Sequence, residues 1–184
     1  GDIAGVIVHN NGTNYYQVCG SQSITVDNLA KHGNSNTWSK WSEGANPIAI
    51  GTSDVSSLNM NMQVVNNSGV QVPGPTTIYM PVPKQGENWG GLNYNGEDFE
   101  FSTALTGPLN NPDENVFEIY YGKGITPSED GSVLEGYASQ FTNYTSNWTA
   151  ADWKAVNCAK IVARNIPVTD AATALSGYDF GYSV

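Results

Sequence analysis

The chain of 184 residues is long enough to bury one sizeable core, and its 7 Lys and Arg against 17 Asp and Glu give a formal net charge of −10. That balance argues against a basic groove for nucleic acid. Charged residues make up only 13%, about half the share usual in a soluble domain, so the surface must rest on 21 Asn, 20 Gly and many Ser and Thr, a hydroxyl-and-amide surface suited to an extracellular, glycosylated protein.

In chain order, Ile3-Ala4-Gly5-Val6-Ile7-Val8 is an almost unbroken apolar run, the pattern of a strand buried on both faces. Asn10-Asn11-Gly12 ends it, and Tyr15 to Val18 reads as the next strand. A strand at the N-terminus either closes its own sheet or leaves to fill a groove in a neighbour. Ser21 to Gly51 reads as long, polar and irregular, with Trp38 and Trp41 either offering a stacking platform or pinning the loop. Pro47 to Ile50 is a candidate short strand. Leu58 to Val65 carries the clearest signal: Leu58, Met60, Met62 and Val64 are apolar while Asn59, Asn61 and Gln63 are polar. This period of two predicts a strand with one buried and one wet face, in an antiparallel sheet.

Pro73, Pro75, Pro81 and Pro83 confine the Val70 to Lys84 piece to a sheet edge or a bulged crossing. Gln85 to Asn95 reads as a loop around Trp89, and Phe99-Glu100-Phe101 as alternating strand. Asn115 to Tyr121 predicts a strand covered on both sides, and Val133 to Phe141 a strand interrupted at Gly136. Thr149-Ala150-Ala151-Asp152 is a capping box that predicts one or two helical turns through Val156. Strand character resumes at Ala159 to Ala163. Asp170 is placed to cap a second short helix over Ala171 to Ser176, ending at Gly177. Tyr178, Phe180, Tyr182 and Val184 share one face of a last strand. The count of strands predicts an all-β fold, an antiparallel β-sandwich or jelly roll with one or two short helices. The expected organisation is an N-terminal strand over 1–10 and one sandwich domain over 11–184.

Chemistry is sparse. His9 and His32 stand apart, and the chain has neither a serine-nucleophile elbow nor a phosphate-cradling glycine pattern. Acids cluster at Glu97, Asp98 and Glu100, at Asp113, Glu114 and Glu118, and at Glu129 and Asp130. Catalysis by paired carboxylates requires a defined spacing across a cleft, and the reading is a protein that is not an enzyme. Glu97, Asp98, Asp113 and Glu114 are candidate oxygen ligands for calcium, the one cofactor considered. Cys19 and Cys158 are either a disulfide joining the start of the fold to its end or two buried thiols. Asn11, Asn66, Asn143 and Asn147 each begin an Asn-X-Ser/Thr acceptor triplet. No apolar run reaches the length of a membrane span. Gly1 in place of Met points to a removed targeting peptide or a shortened chain, and the expected location is secreted, at the cell surface.

In overall character the chain resembles the secreted sandwich subunits of archaeal surface filaments, the thread and TasA-like kind. The resemblance implies a structural subunit that polymerises with copies of itself by donating its N-terminal strand. The strand would be Asp2 to His9, with Ile3, Val6, Ile7 and Val8 entering the acceptor and Asn11, Asn66, Asn143 and Asn147 as glycan carriers. Two other readings stay open: a carbohydrate-binding module stacking sugars on Trp38 and Trp41, and a viral coat or spike jelly roll.

Overall fold

The computed structural model describes residues 71–89, 97–99, 102–127, 134, 136–169 and 177–184. It also describes the strand segments 6–10, 14–18, 24–25, 36–42 and 59–66 through their backbone pairing, with the side chains of Met62, Val64 and Asn66. The strands are β1 (Val6–Asn10), β2 (Asn14–Val18), β3 (Ile24–Thr25), β4 (Asn36–Ser42), β5 (Asn59–Asn66), β6 (Val72–Pro81), β7 (Phe117–Lys123), β8 (Phe141–Thr142), β9 (Val156–Ile166) and β10 (Tyr178–Ser183). A short helix, α1 (Ala150–Ala155), precedes β9. Six strands form one sheet in the order β2-β1-β6-β9-β7-β8, and four form another in the order β10-β5-β4-β3. Every pairing is antiparallel. The fold is therefore all-β with a short helix.

The buried face expected around Met62 is present at Met62 and Val64. Met62 and Val64 are both 1% exposed, and Asn66, the next residue on that face, is fully buried. Asn66 tolerates burial because its amide is used: Nδ2 donates to the carbonyls of Ile166 (2.9 Å) and Pro167 (3.3 Å). Its main chain exchanges bonds with Thr169, whose Oγ1 accepts from the Asn66 N–H at 2.7 Å and whose N–H donates to the Asn66 carbonyl at 2.8 Å.

β6 is an internal strand, yet its prolines cost it little. Only Thr76 to Tyr79 pairs with β1, while Val72 to Pro81 pairs with β9. Pro73, Pro75 and Pro81 thus fall outside the doubly bonded stretch, where a missing N–H breaks no ladder toward β1. The register against β9 shifts between Pro73 and Thr76, the bulged crossing the prolines predict. Gly74 sits in that bulge so close to β9 that a Cβ there would lie 2.0 Å from the Arg164 carbonyl oxygen.

Both faces of the six-stranded sheet are covered. On one face Ile78 and Met80 of β6, Phe117 and Tyr121 of β7, and Ala159, Ile161 and Ala163 of β9 meet Met62 and Val64 of β5 and Phe180 and Tyr182 of β10. One cluster therefore draws on both sheets. Phe117 packs edge-on against Phe180, ring centroids 4.8 Å apart, and against Tyr178 at 5.0 Å. On the other face Tyr79 and Cys158 pack under Trp89, Phe99, Ile125, Leu134 and Phe141, which come from connecting segments and from β8.

Asn157 ties these segments to the sheet. Its Oδ1 accepts from the Ile125 N–H at 2.8 Å, and its Nδ2 donates to the Ile125 carbonyl at 2.7 Å and to Glu87 Oε1 at 2.9 Å. Glu87 Oε2 in turn accepts from Trp89 Nε1 at 3.1 Å.

The structure corrects several expectations. The supposedly irregular Ser21 to Gly51 stretch contains β3 and β4, β4 held by pairing with β5 and β3 by pairing with β4 rather than by a pattern of their own. Among the described residues of Val133 to Phe141, Ala138–Gln140 form a 3-10 turn and strand begins at Phe141, in β8. Phe99 is a buried plug outside any strand, with Glu100 and Phe101 outside the described residues. The second helix predicted over Ala171 to Ser176 also lies outside them.

The Cys19–Cys158 disulfide is absent: Cys158 is a free, fully buried thiol. It lies opposite Pro81 and Gly122 in the middle of the six-stranded sheet. Cys19 is outside the described residues, but β2, ending at Val18, stands three strands from β9. At ordinary strand spacing that is about 14 Å, whereas a bridge needs Cα atoms within about 7 Å.

Candidate functional site

Two places draw attention: the seat of the N-terminal strand and a cleft at the opposite end of the chain's path. β1 occupies an internal position, pairing on one side with β2 and on the other with β6. The β6 ladder uses only Ile7 to Asn10 against Thr76 to Tyr79. Of the expected assembly residues, Val6, Ile7 and Val8 lie in β1, and Ile3 lies outside the described residues.

The acceptor triplets divide sharply. Asn143 and Asn147 are exposed, while Asn11 lies outside the described residues. Asn66 is fully buried with its amide donated to Ile166 and Pro167. A glycan on Nδ2 would have to displace those bonds and open the core, so Asn66 is not a carrier in this fold. The acids form no shared centre: among the described residues no three His, Cys, Asp or Glu side chains come together. Glu97 and Asp98 are exposed, and Asp98 accepts from Asn88 Nδ2 at 3.1 Å. Asp113 serves its own turn, its Oδ1 accepting from the Asn115 N–H at 2.9 Å, while Glu114 is exposed. Trp38 and Trp41 both fall in β4, where Trp38 is the register partner of Val64 and Trp41 of Asn61.

An aromatic group that the sequence reading did not assemble flanks α1. The helix is capped as expected, Thr149 Oγ1 accepting from the Asp152 N–H and Asp152 Oδ2 from the Thr149 N–H at 2.7 Å. This fixes Trp153, which is buried, against Tyr121 (5.0 Å, edge-on), Trp148 (4.8 Å) and Tyr144 (5.6 Å). Lys123 Nζ sits 4.0 Å over the Trp148 ring and pairs with Asp152 Oδ1 at 2.7 Å. The Lys123 ammonium, with help from Thr149, holds the Asp152 carboxyl well below the usual carboxylate range.

Beside this group opens a cleft of about 690 Å³. Its walls are the Thr106 to Asn111 segment, Tyr121 of β7 and the Gly181–Ser183 end of β10, with Glu114 and Tyr144 at the sides. The segment is laced to β10, the Thr106 N–H donating to the Ser183 carbonyl at 3.0 Å and the Asn110 N–H to the Gly181 carbonyl at 2.8 Å. Tyr121 is 1% exposed, and its hydroxyl accepts from the Leu109 N–H at 2.8 Å. Burial pushes its pKa up to about 12, against the opposing pull of that N–H. Tyr144 is 46% exposed. No one stretch of sequence signals this cleft, because its parts are separated by up to 77 residues, the span from Thr106 to Ser183.

No protein-family model matches the chain, and comparison with curated proteins and with solved structures gave no significant match. Among the described residues no helix is long and apolar enough to cross a membrane.

Proposed function

We propose that this chain is a structural subunit of an extracellular filament or pilus-like surface assembly, joined to its neighbours through its N-terminal strand. The observation that carries the reading is the place of β1. A strand at the chain's start fills an internal position of the six-stranded sheet, and four residues of ladder hold it to β6. The same strand from a neighbouring copy can make the same bonds, which is what makes exchange between identical subunits cheap. Because β1 is also paired along its length with β2, the exchanging unit is the β1–β2 hairpin, and its boundary moves from residue 10 to residue 18. In this reading the two sheets are the layers of a sandwich that the donated hairpin completes. The protein is secreted, works without catalysis, and carries any N-linked sugar on Asn11, Asn143 or Asn147. The archaeal filament resemblance supports the same reading from sequence character alone.

The test is negative-stain electron microscopy of the natively purified protein beside a form lacking residues 1–18. Full-length fibres one subunit wide, lost on truncation, are expected. Dispersed full-length monomers, or fibres that survive the truncation, would sink the proposal.

A further inference from the structure

We infer that the cleft between the Thr106–Asn111 segment, β7 and β10 binds a neutral glycan chain, with Tyr144 as its stacking surface and Asn110 and Tyr121 as hydrogen-bonding groups. Four observations converge on this chemistry. First, Tyr144 presents nearly half its surface while its ring is pinned against Tyr121 (6.0 Å) and Trp153 (5.6 Å). A fixed, half-exposed ring offers a pyranose face a flat partner at little cost in rotamer freedom.

Second, the volume of about 690 Å³ lies in the range of small-ligand clefts, roughly 300–1,000 Å³. Third, polar groups are left over where a sugar's hydroxyls would lie. The Asn110 side chain is exposed, its backbone N–H alone being engaged with Gly181. The Tyr121 hydroxyl accepts from Leu109, and among the described residues its own proton has no acceptor. A buried donor without a partner is costly, and a ligand oxygen in the cleft would satisfy it.

Fourth, the charge of the cleft selects among sugars. Among the described residues, Glu114 is the one ionisable acid or base besides tyrosine that lines it, and no Lys or Arg does. The nearest described cation in the aromatic group, Lys123, is committed to Asp152 and Trp148. A uronic or sialic acid would face Glu114 with nothing to neutralise it, so the cleft rejects acidic glycans as well as admitting neutral ones. A sugar carried on Asn143, exposed and adjacent to Tyr144, presents the same chemistry from the chain itself.

Full-length protein made without glycosylation would be titrated with cellohexaose, xylohexaose, mannohexaose and a hyaluronan hexasaccharide, following tryptophan fluorescence and heat of binding. Trp153 adjoins Tyr144 and Trp148 adjoins Trp153, so occupancy is expected to change tryptophan emission. At least one neutral hexasaccharide is expected to saturate the signal, with the acidic one about tenfold weaker or worse. Tyr144→Ala should weaken binding at least about tenfold, Asn110→Ala less, and Tyr144→Phe should keep most of it. Both altered residues are at the surface, so unchanged circular dichroism and melting temperature will certify the fold. Glycosylated protein that binds only after Asn143→Gln would identify the chain's own sugar as the occupant and would also support the inference. Absence of saturation by every neutral probe, wild-type affinity in Tyr144→Ala, or equal affinity for hyaluronan would overturn it. None of these outcomes depends on whether fibres form.

Discussion

Asn157 shows how one buried amide can hold a connecting segment to a sheet. It answers both the N–H and the carbonyl of Ile125 and still reaches Glu87. Asn157→Ala would strand the two buried main-chain groups of Ile125, at a cost of about 2–3 kcal/mol, measured as a fall in the urea midpoint at unchanged slope. Tyr121 makes a second prediction at this scale. Its folded pKa of about 12 lies above the unfolded value of about 10, so the folded state holds the proton more tightly. The contribution is fully present below about pH 10 and is lost as pH rises toward 12. Urea midpoints measured across that window should decline, and Tyr121→Phe should flatten part of the decline while lowering stability at neutral pH by removing the acceptor of the Leu109 N–H. Individual roles of this kind were poorly legible beforehand. Asn157 sits in a run, Val156-Asn157-Cys158, whose sequence has no mark of a double main-chain clasp. Asn66 had a visible acceptor triplet, but its burial follows from strand parity, which places it on the same face as Met62 and Val64.

Among the elements, those with a local signal were readable and those without were not. β5 and β10 alternate strictly, and α1 announces itself through Thr149 and Asp152, because face selection and capping depend on near neighbours in sequence. β4, written Asn-Thr-Trp-Ser-Lys-Trp-Ser, lacks a period of two and becomes a strand by pairing with β5. The disulfide expectation failed for a related reason: the sequence separation of two cysteines carries no information about strand order. The proposed hairpin exchange makes its own prediction. His9 and Thr77 are register partners across β1 and β6. In a His9→Cys, Thr77→Cys double variant with Cys19 and Cys158 changed to Ser, oxidation after assembly should yield a ladder of covalent oligomers under denaturing electrophoresis. A single monomer band with no free thiols would place β1 in its own subunit.

For the whole molecule, the surplus of acid matters more than any one pair. Each copy carries a formal charge of −10, so the proposed association between copies would begin against mutual repulsion. Raising ionic strength from about 10 mM to about 150 mM shortens the screening length from about 30 Å to about 8 Å. Light scattering should therefore report faster assembly at the higher salt, and a rate insensitive to salt would mean that encounter is not what limits it. The backbone lacing of Thr106 and Asn110 onto Ser183 and Gly181 bears on a different hazard. β10 is the outermost strand of its sheet, and an unguarded outer strand recruits foreign chains into aggregates. With that border already occupied, uncontrolled lateral growth there must first peel the covering segment away. The same segment forms a wall of the cleft, so whatever settles in the cleft and holds the wall in place also protects the molecule from clumping.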